Sequence, residues 1–365
     1  MVKAAVLTAA GGDYEIMDIE LPEPGPGEVR VRLAASGVCH SDLTVGSGSA
    51  AVLPPVPTVL GHEGAGHVVS VGAGVEHVGP GDRVVLNWTP ACSRCWHCRR
   101  GETHLCENAA ATRHRPYAKL PDGRDVYNGL GPAAFAEETV VPAAAAIPLT
   151  VDIPLVDAAL LGCSVMTGVG AVLNAARVAA GDTVAVLGLG GVGLSALQGA
   201  RLAGASTVIG VDVHPGKETL AKEAGATDFL AVGPDLVAQI RELTGGRGAD
   251  HVFECAGRAD AVENAWSATR RGGQAVVVGL GPTTASACFP AADLMLTARS
   301  LIGCFFGSAD MGRDVPRFAA DLAAGRLDVS SLVTHRIGLD QIPEAFARMR
   351  SGDGGRSVIV FGDER

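Results

Sequence analysis

Hydrophobic and polar positions divide the chain into stretches of different rhythm. Early on, VRVRLAAS alternates, and AGHVVSVG and DRVVLNW are short β-rich runs broken by Gly and Pro, the pattern of short strands. Pro22, Pro24 and Pro26 mark an early turn or linker. From about residue 160 the runs TVAVLGLG, TVIGVD, HVFECAG and AVVVGL are apolar throughout, with Ala-rich helical stretches between them. Apolar strands alternating with helices predict a parallel sheet covered on both faces, an α/β fold. After Pro290 the pattern is mixed, and RSVIVFG predicts a last strand. The stretch from Cys106 to Phe135 is loop-rich and predicts no element. The N-terminal MVKAAVLTAAGGDYEIMD reads as a first strand and not as a signal peptide. No apolar run approaches about 18 residues, so no membrane span is expected.

Composition narrows the class. A chain of 365 residues is long enough for two domains with substantial cores. Hydrophobic residues at 47% and charged residues at 19% exclude a disordered chain. A net charge of −10 without any basic run argues against a nucleic-acid partner. The nine cysteines are odd in number and clustered, which points to a reducing cytoplasm rather than to a disulfide framework.

Four of them, Cys92, Cys95, Cys98 and Cys106, follow the spacing C-x2-C-x2-C-x7-C. Short loops let successive thiolates converge on one ion with Zn–S bonds of about 2.3 Å. Four thiolates close a tetrahedral shell, which describes a structural zinc. Disulfides or a small iron–sulfur cluster are the other readings, but the last spacing differs from the ferredoxin run.

Gly188, Gly190 and Gly193 form G-x-G-x-x-G between an apolar strand and a helical stretch. The glycines permit a tight turn, close approach of a pyrophosphate, and helix–strand packing, while the helix N-terminus supplies free N–H groups. The next strand ends in Asp212, about 20 residues on, where an acid binds a ribose 2′-OH. An acid there repels a 2′-phosphate, so the expected cofactor is NAD and not NADP. Lys217 is placed to contact the same ribose.

A second metal set is weaker on spacing alone. Cys39 lies in GVCHSD, His62 and Glu63 in LGHEGAGH, and Cys163 in LLGCSVMTG. Two thiolates and one imidazole would leave a fourth zinc position open for water or substrate. These residues are far apart in sequence, and a lone cysteine in an apolar run is ordinarily a packing residue.

GVCHSD, GHEGAG, the four-cysteine run, GCSVMTG, GLGGVG and GVD occur in this order. In that order the chain resembles the zinc-dependent alcohol dehydrogenases of the medium-chain dehydrogenase/reductase superfamily, the aryl and primary alcohol dehydrogenases in particular. The likeness continues through IGCFFG and SLVTHRI to GGRSVIVF. It implies a GroES-like β-barrel catalytic domain from residues 1–164 and 306–365, with a structural zinc lobe at 92–106. A Rossmann domain with a doubly wound parallel sheet would span 165–305. Substrate and nicotinamide would meet in the cleft between them.

The resemblance also implies roles. Cys39, His62 and Cys163 would hold a catalytic zinc, giving two zincs per chain with the structural one. Ser41 would take the alcohol proton and pass it to the cofactor ribose. Asp42 would orient His62, and Glu63 would lie beneath the metal and tune its charge. Thr167 and Val192 would pack against the nicotinamide, and Arg356 would bind the pyrophosphate. Trp88, Leu280 and Phe305 would line the substrate pocket. His40 stands where many members have an arginine for the pyrophosphate, which implies weaker cofactor retention. Thr44 replaces the relay histidine of the best-known members and leaves the last proton acceptor open. His67, His77, Cys255, Cys288 and Cys304 read as structural or packing residues.

The expected reaction is hydride transfer between NAD and a primary alcohol, aromatic, allylic or of medium chain, by a homodimer or homotetramer. A thiol-dependent formaldehyde dehydrogenase, acting on an S-hydroxymethyl thiol, is the alternative. Arg113, His114 and Arg115 in TRHRP would then supply cations for the thiol's carboxylates. A non-catalytic nucleotide-binding protein is a third reading, disfavoured by the seven zinc ligands.

Overall fold

The computed structural model describes residues 1–50 and 53–362, with Thr112 by its backbone alone. The chain forms two compact units. One is Met1–Ser164 with Asp310–Ala324 and Val333–Arg365; the other is Val165–Ala309 with Gly325–Leu332.

The first unit is built on antiparallel pairing around the strand Glu28–Gly37. Its alternation separates two faces. Val29, Val31 and Leu33 are buried, while Arg30 and Arg32 on the other face reach Glu138 at 2.7 and 3.0 Å. The seven-stranded sheet runs Ala146–Pro148, Arg83–Leu86, Glu63–Val71, Glu28–Gly37, Arg356–Val360, Val333–Ile337, with Glu138–Pro142 also paired to Glu28–Gly37. Register matters here. Gly37 lies opposite Glu63 on one side and Val358 on the other, so the ends of three strands bring Cys39, Glu63 and Arg356 to one place. A five-stranded sheet runs Tyr14–Ile19, Val2–Leu7, Thr58–Val59, Asp125–Asn128, Pro116–Lys119. Its last two strands lie in the 106–135 stretch, where the sequence predicts none; at four residues each they are too short to show a period.

The second unit holds a parallel six-stranded sheet in the order Asp228–Ala231, Thr207–Asp212, Thr183–Leu187, Ala249–Glu254, Thr269–Val277, Ser300–Gly303. Its uninterrupted apolar strands bury both faces. Val184, Val186, Val208, Phe253 and Val276 enter one core, and Ala185, Leu187, Ile209, Val211, Val252 and Ala275 the other. Strand order reverses beside Thr183–Leu187, the position where doubly wound sheets bind ligands. Among the described residues no single helix is long and apolar enough to cross a membrane.

Trp266 anchors one of these cores. It is fully buried, stacks on Phe289 at 4.7 Å and carries the Arg299 guanidinium 5.5 Å above its ring. Replacing Trp266 with Ala is expected to cost about 3–5 kcal/mol, measured as a lower denaturant midpoint for unfolding of the second unit.

Candidate metal and dinucleotide sites

Asp42 organises the first cluster. Cys39 ends an extended segment and caps the helix His40–Gly46, in which Asp42 is the third residue. The Asp42 carboxylate turns back to accept from the Cys39 N–H at 3.0 Å, as a capping-box acid does. Its other oxygen accepts from the Gly61 N–H at 3.0 Å and meets His62 Nδ1 at 3.0 Å. An ionised carboxylate only accepts, so Nδ1 carries a proton, and Nε2 is the nitrogen left for a metal that displaces its proton. Burial opposes a charge on His62, yet Asp42 and then Cys39 hold its pKa well above the usual range.

One donor atom each from Cys39, His62, Glu63 and Cys163 lies within 4.8 Å of the others, and all four residues are buried. Cys39 is the more acidic of the two thiols. The Cys163 side chain hydrogen-bonds to it, and His62 and Arg356 add positive charge. Two soft sulfurs and an oriented imidazole without water around them are a zinc donor set, so the residues present fit a metal. Glu63 is the fourth member. Burial pushes its carboxyl up to about 7 against the pull of Arg356. Its Oε2 forms a buried ion pair with the Arg356 guanidinium, and the Ser164 hydroxyl lies 3.5 Å away. The pyrophosphate reading of Arg356 thus meets a different partner: in this unit the guanidinium is given to Glu63.

The neighbouring side chains are equally well placed. Ser41 Oγ is 3.9 Å from the Cys39 sulfur. His40 is exposed. The Thr44 hydroxyl donates to the His40 carbonyl at 3.0 Å, so it serves its own helix. Trp88 meets the His62 ring edge-on at 5.8 Å, and the Arg113 guanidinium lies 4.6 Å over the Trp88 ring. Asn128 fixes the Arg113 loop: its carbonyl accepts from the His114 N–H at 3.1 Å and its side chain from the Arg115 N–H at 2.8 Å. No sequence signal marks Asn128, because its role exists only where two loops meet. His77 bridges the carbonyls of Ala143 and Ala146 at 3.1 and 3.2 Å, and His67 lies half-buried in Glu63–Val71.

The sulfurs of Cys92, Cys95, Cys98 and Cys106 also lie within 4.8 Å of one another. Backbone N–H groups point at them: Cys92 to Cys106 at 3.3 Å, Cys95 to Cys92 at 3.4 Å and Cys98 to Cys95 at 3.5 Å. Donors aimed at sulfur favour thiolates, which lowers the Cys92 pKa to about 6. Apart from the sulfurs, this lobe buries little more than Ala109. A metal, and not apolar packing, is what suits it as an organiser.

In the second unit Gly188 has φ +93°, and a Cβ there would lie 2.8 Å from the Ala256 nitrogen. A Cβ on Gly193 would lie 1.9 Å from the Gly188 carbonyl oxygen, while Gly190 faces open space. Asp212 is buried and accepts from the Leu189 N–H at 2.8 Å and the His214 N–H at 2.9 Å. It therefore braces the glycine loop as well as closing its own strand. Lys217 is buried in the following turn and Thr167 in the helix Ser164–Gly170; Val192 is half-buried at the start of Gly191–Leu202. Leu280 is 72% and Phe305 47% exposed, and both belong to this unit. Cys304 is buried and Cys255 packs on the same core. Cys288 corrects the packing expectation: it is exposed, in a loop whose backbone N–H is tied to Glu263 at 2.8 Å, since its apolar run is too short to enter the sheet.

The fold and these sites define a two-domain dehydrogenase with metal and dinucleotide sites. Residues 25–154 match the family described as Alcohol dehydrogenase GroES-like domain, and residues 191–324 match Zinc-binding dehydrogenase. An S-(hydroxymethyl)glutathione dehydrogenase of Paracoccus denitrificans is 37% identical, with 98% of this chain and 99% of that protein covered. Among solved structures, an alcohol dehydrogenase zinc-binding domain protein from Burkholderia ambifaria has a TM-score of 0.94 at 33% identity, covering 99% of each chain. A benzyl alcohol dehydrogenase from Acinetobacter calcoaceticus has a TM-score of 0.91 at 29% identity, also over 99% of each chain. The chain belongs to the zinc-dependent alcohol dehydrogenase family of the medium-chain dehydrogenase/reductase superfamily. It is an oxidoreductase that uses zinc and a nicotinamide cofactor.

One expectation is corrected. The reading as an aromatic or medium-chain alcohol dehydrogenase gives way, because full-length relatives at 36–38% identity are named S-(hydroxymethyl)glutathione dehydrogenase or alcohol dehydrogenase class-3. Trp88 meets His62 and Arg113, and an aromatic side chain alone does not discriminate between the two substrate classes.

Asp42→Asn tests the organising carboxylate. The variant loses a charge but little volume, and zinc affinity at the Cys39 cluster is expected to fall about 10–100-fold. Competition with a chromophoric chelator measures it, the four-cysteine lobe serving as the internal reference.

Proposed function

We propose that the protein oxidises the S-hydroxymethyl adduct of formaldehyde and a low-molecular-weight thiol, with NAD as the oxidant. The observation that carries this reading is Arg113, a cation held over the Trp88 ring, which also meets His62. A simple alcohol gives such a cation nothing to bind, whereas a thiol bearing carboxylates does. The full-length relatives support the same substrate class.

The reaction removes a hydride from the hydroxymethyl carbon and a proton from its oxygen, leaving an S-formyl thiol and NADH. Bound by Cys39, His62 and Cys163, zinc supplies Lewis acidity that eases loss of the hydroxyl proton. Ser41 Oγ, 3.9 Å from the Cys39 sulfur, would accept that proton. Asp42 would hold His62 by its Nδ1 proton, and the Arg356 guanidinium offsets part of the Cys39 thiolate charge, which Glu63 opposes. The Thr44 hydroxyl is committed to the His40 carbonyl, so it would not take the proton onward from Ser41. The N-terminus of the helix Gly191–Leu202 would receive the pyrophosphate. Each Asp212 oxygen retains a lone pair beyond its backbone hydrogen bond, enough to accept from the ribose hydroxyls.

In this reading residues 1–164 and 306–365 form the catalytic domain and 165–305 the NAD-binding domain, although residues 306–309 and 325–332 pack with the second unit. Nine cysteines free of disulfides suit a cytoplasmic protein, and a homodimer or homotetramer belongs to the same proposal.

NADH formation followed by absorbance is expected with formaldehyde and glutathione together, and to be negligible with formaldehyde alone. Equal rates with and without thiol would end the proposal. Arg113→Ala is expected to raise KM for the adduct about tenfold with little change in kcat, the signature of lost uniform binding, and to leave the rate with a neutral primary alcohol unchanged.

A further inference from the structure

Three segments carry the ligands of the Cys39 cluster, and Asp42 draws two of them together through the N–H groups of Cys39 and Gly61, each at 3.0 Å. A carboxylate that pulls two segments together does not fix how closely they settle. A pair of aromatic rings lies behind them. Gly46 ends the helix that begins at His40, and it packs so tightly that a Cβ there would lie 2.5 Å from the Tyr14 hydroxyl oxygen. Gly61 precedes His62, and a Cβ there would lie 2.5 Å from Phe135 Cδ1 and 2.6 Å from its nitrogen. The two rings meet edge-on at 6.4 Å, and Phe346 backs Tyr14 at 5.7 Å. Each of these two segments therefore rests, glycine against ring, on one aromatic pair.

The Tyr14 hydroxyl gives the second clue. It is buried and has no hydrogen-bond partner among the described residues. An unsatisfied buried hydroxyl is a net cost to stability, so a hydrogen bond does not account for it. What the oxygen supplies is one atom of reach toward Gly46.

We propose that Tyr14 and Phe135 are positioning residues for the catalytic metal: together they form a spacer that sets how far the Cys39 helix stands from the His62 segment. The proposal rests on the reading that Cys39, His62 and Cys163 hold zinc. It explains why the contact point on the Cys39 helix is a glycine, whereas at Gly61 a left-handed backbone, φ +86°, calls for glycine as well. A methyl group at Gly46 would drive the Cys39 helix off the spacer and pull the donor atoms apart, although Gly46 is itself no ligand.

Zinc stoichiometry, chelator competition and the visible spectrum after cobalt substitution test this on the full-length protein. Wild type is expected to bind two zincs. Gly46→Ala is expected to weaken the second zinc about tenfold or more and to alter the cobalt ligand-field bands. Tyr14→Phe removes the oxygen that the new methyl group meets, leaving the ring carbon Cζ at 3.4 Å. The Gly46→Ala/Tyr14→Phe double variant should therefore regain most of the affinity and the wild-type spectrum. Tyr14→Phe alone should unfold at or above the wild-type temperature, while binding zinc about threefold more weakly, a split that a purely structural role does not produce. Wild-type zinc affinity in Gly46→Ala overturns the proposal. So does a double variant that recovers thermal stability but not zinc affinity. A wild-type chain that binds one zinc only overturns the metal reading on which the proposal stands, an outcome distinct from the other two.

Discussion

The Asp42 carboxylate is the constraint on which the first unit's chemistry depends. It is fully buried, and it closes the turn after Cys39, holds the Gly61 backbone and orients the His62 ring. A buried charge of this kind is tolerated only when its lone pairs are filled. Here three donors fill them, and each belongs to a segment that must be placed for metal binding. The energy that satisfies the carboxylate is thus the same energy that assembles the site.

A second buried charge lies nearby on the same sheet. Glu63 and Arg356 come from strands that flank Glu28–Gly37, and register alone makes them meet. Burial pushes the Glu63 carboxyl up to about 7, so the pair holds its charge less firmly than an exposed one. The second unit works differently. There backbone packing shapes the loop: Gly188 and Gly193 let strand, loop and helix come into van der Waals contact, and Asp212 ties the loop to the next strand. Side chains organise the metal site, whereas absent side chains organise the nucleotide site.

How much of this was legible in the sequence depended on the range over which each signal acts. The alternation in VRVRLAAS and the unbroken apolar runs after residue 160 report burial on one face or two, a local property, and the sheets follow it. Spacing located Cys92, Cys95, Cys98 and Cys106, because ligands within one short loop must converge. The 106–135 strands escaped because four residues carry no usable period. Cys288 was misread because an apolar run does not reveal whether its backbone is paired. The substrate reading failed for a related reason: Trp88 signals an apolar wall, but the cation above it comes from a loop 25 residues on in the sequence.

By itself, then, the sequence determined the α/β class, the four-cysteine metal loop, the glycine turn with its acid, and a family resemblance spanning nearly the whole chain. These rest on contacts between residues close in the chain, where covalent geometry leaves few alternatives. Only the tertiary structure decided that Cys39, His62, Glu63 and Cys163 converge, that Arg356 pairs with Glu63, that Arg113 lies over Trp88, and that Tyr14 and Phe135 support two glycines. Those contacts join residues tens to hundreds of positions apart, and strand register and packing, not local pattern, bring them together.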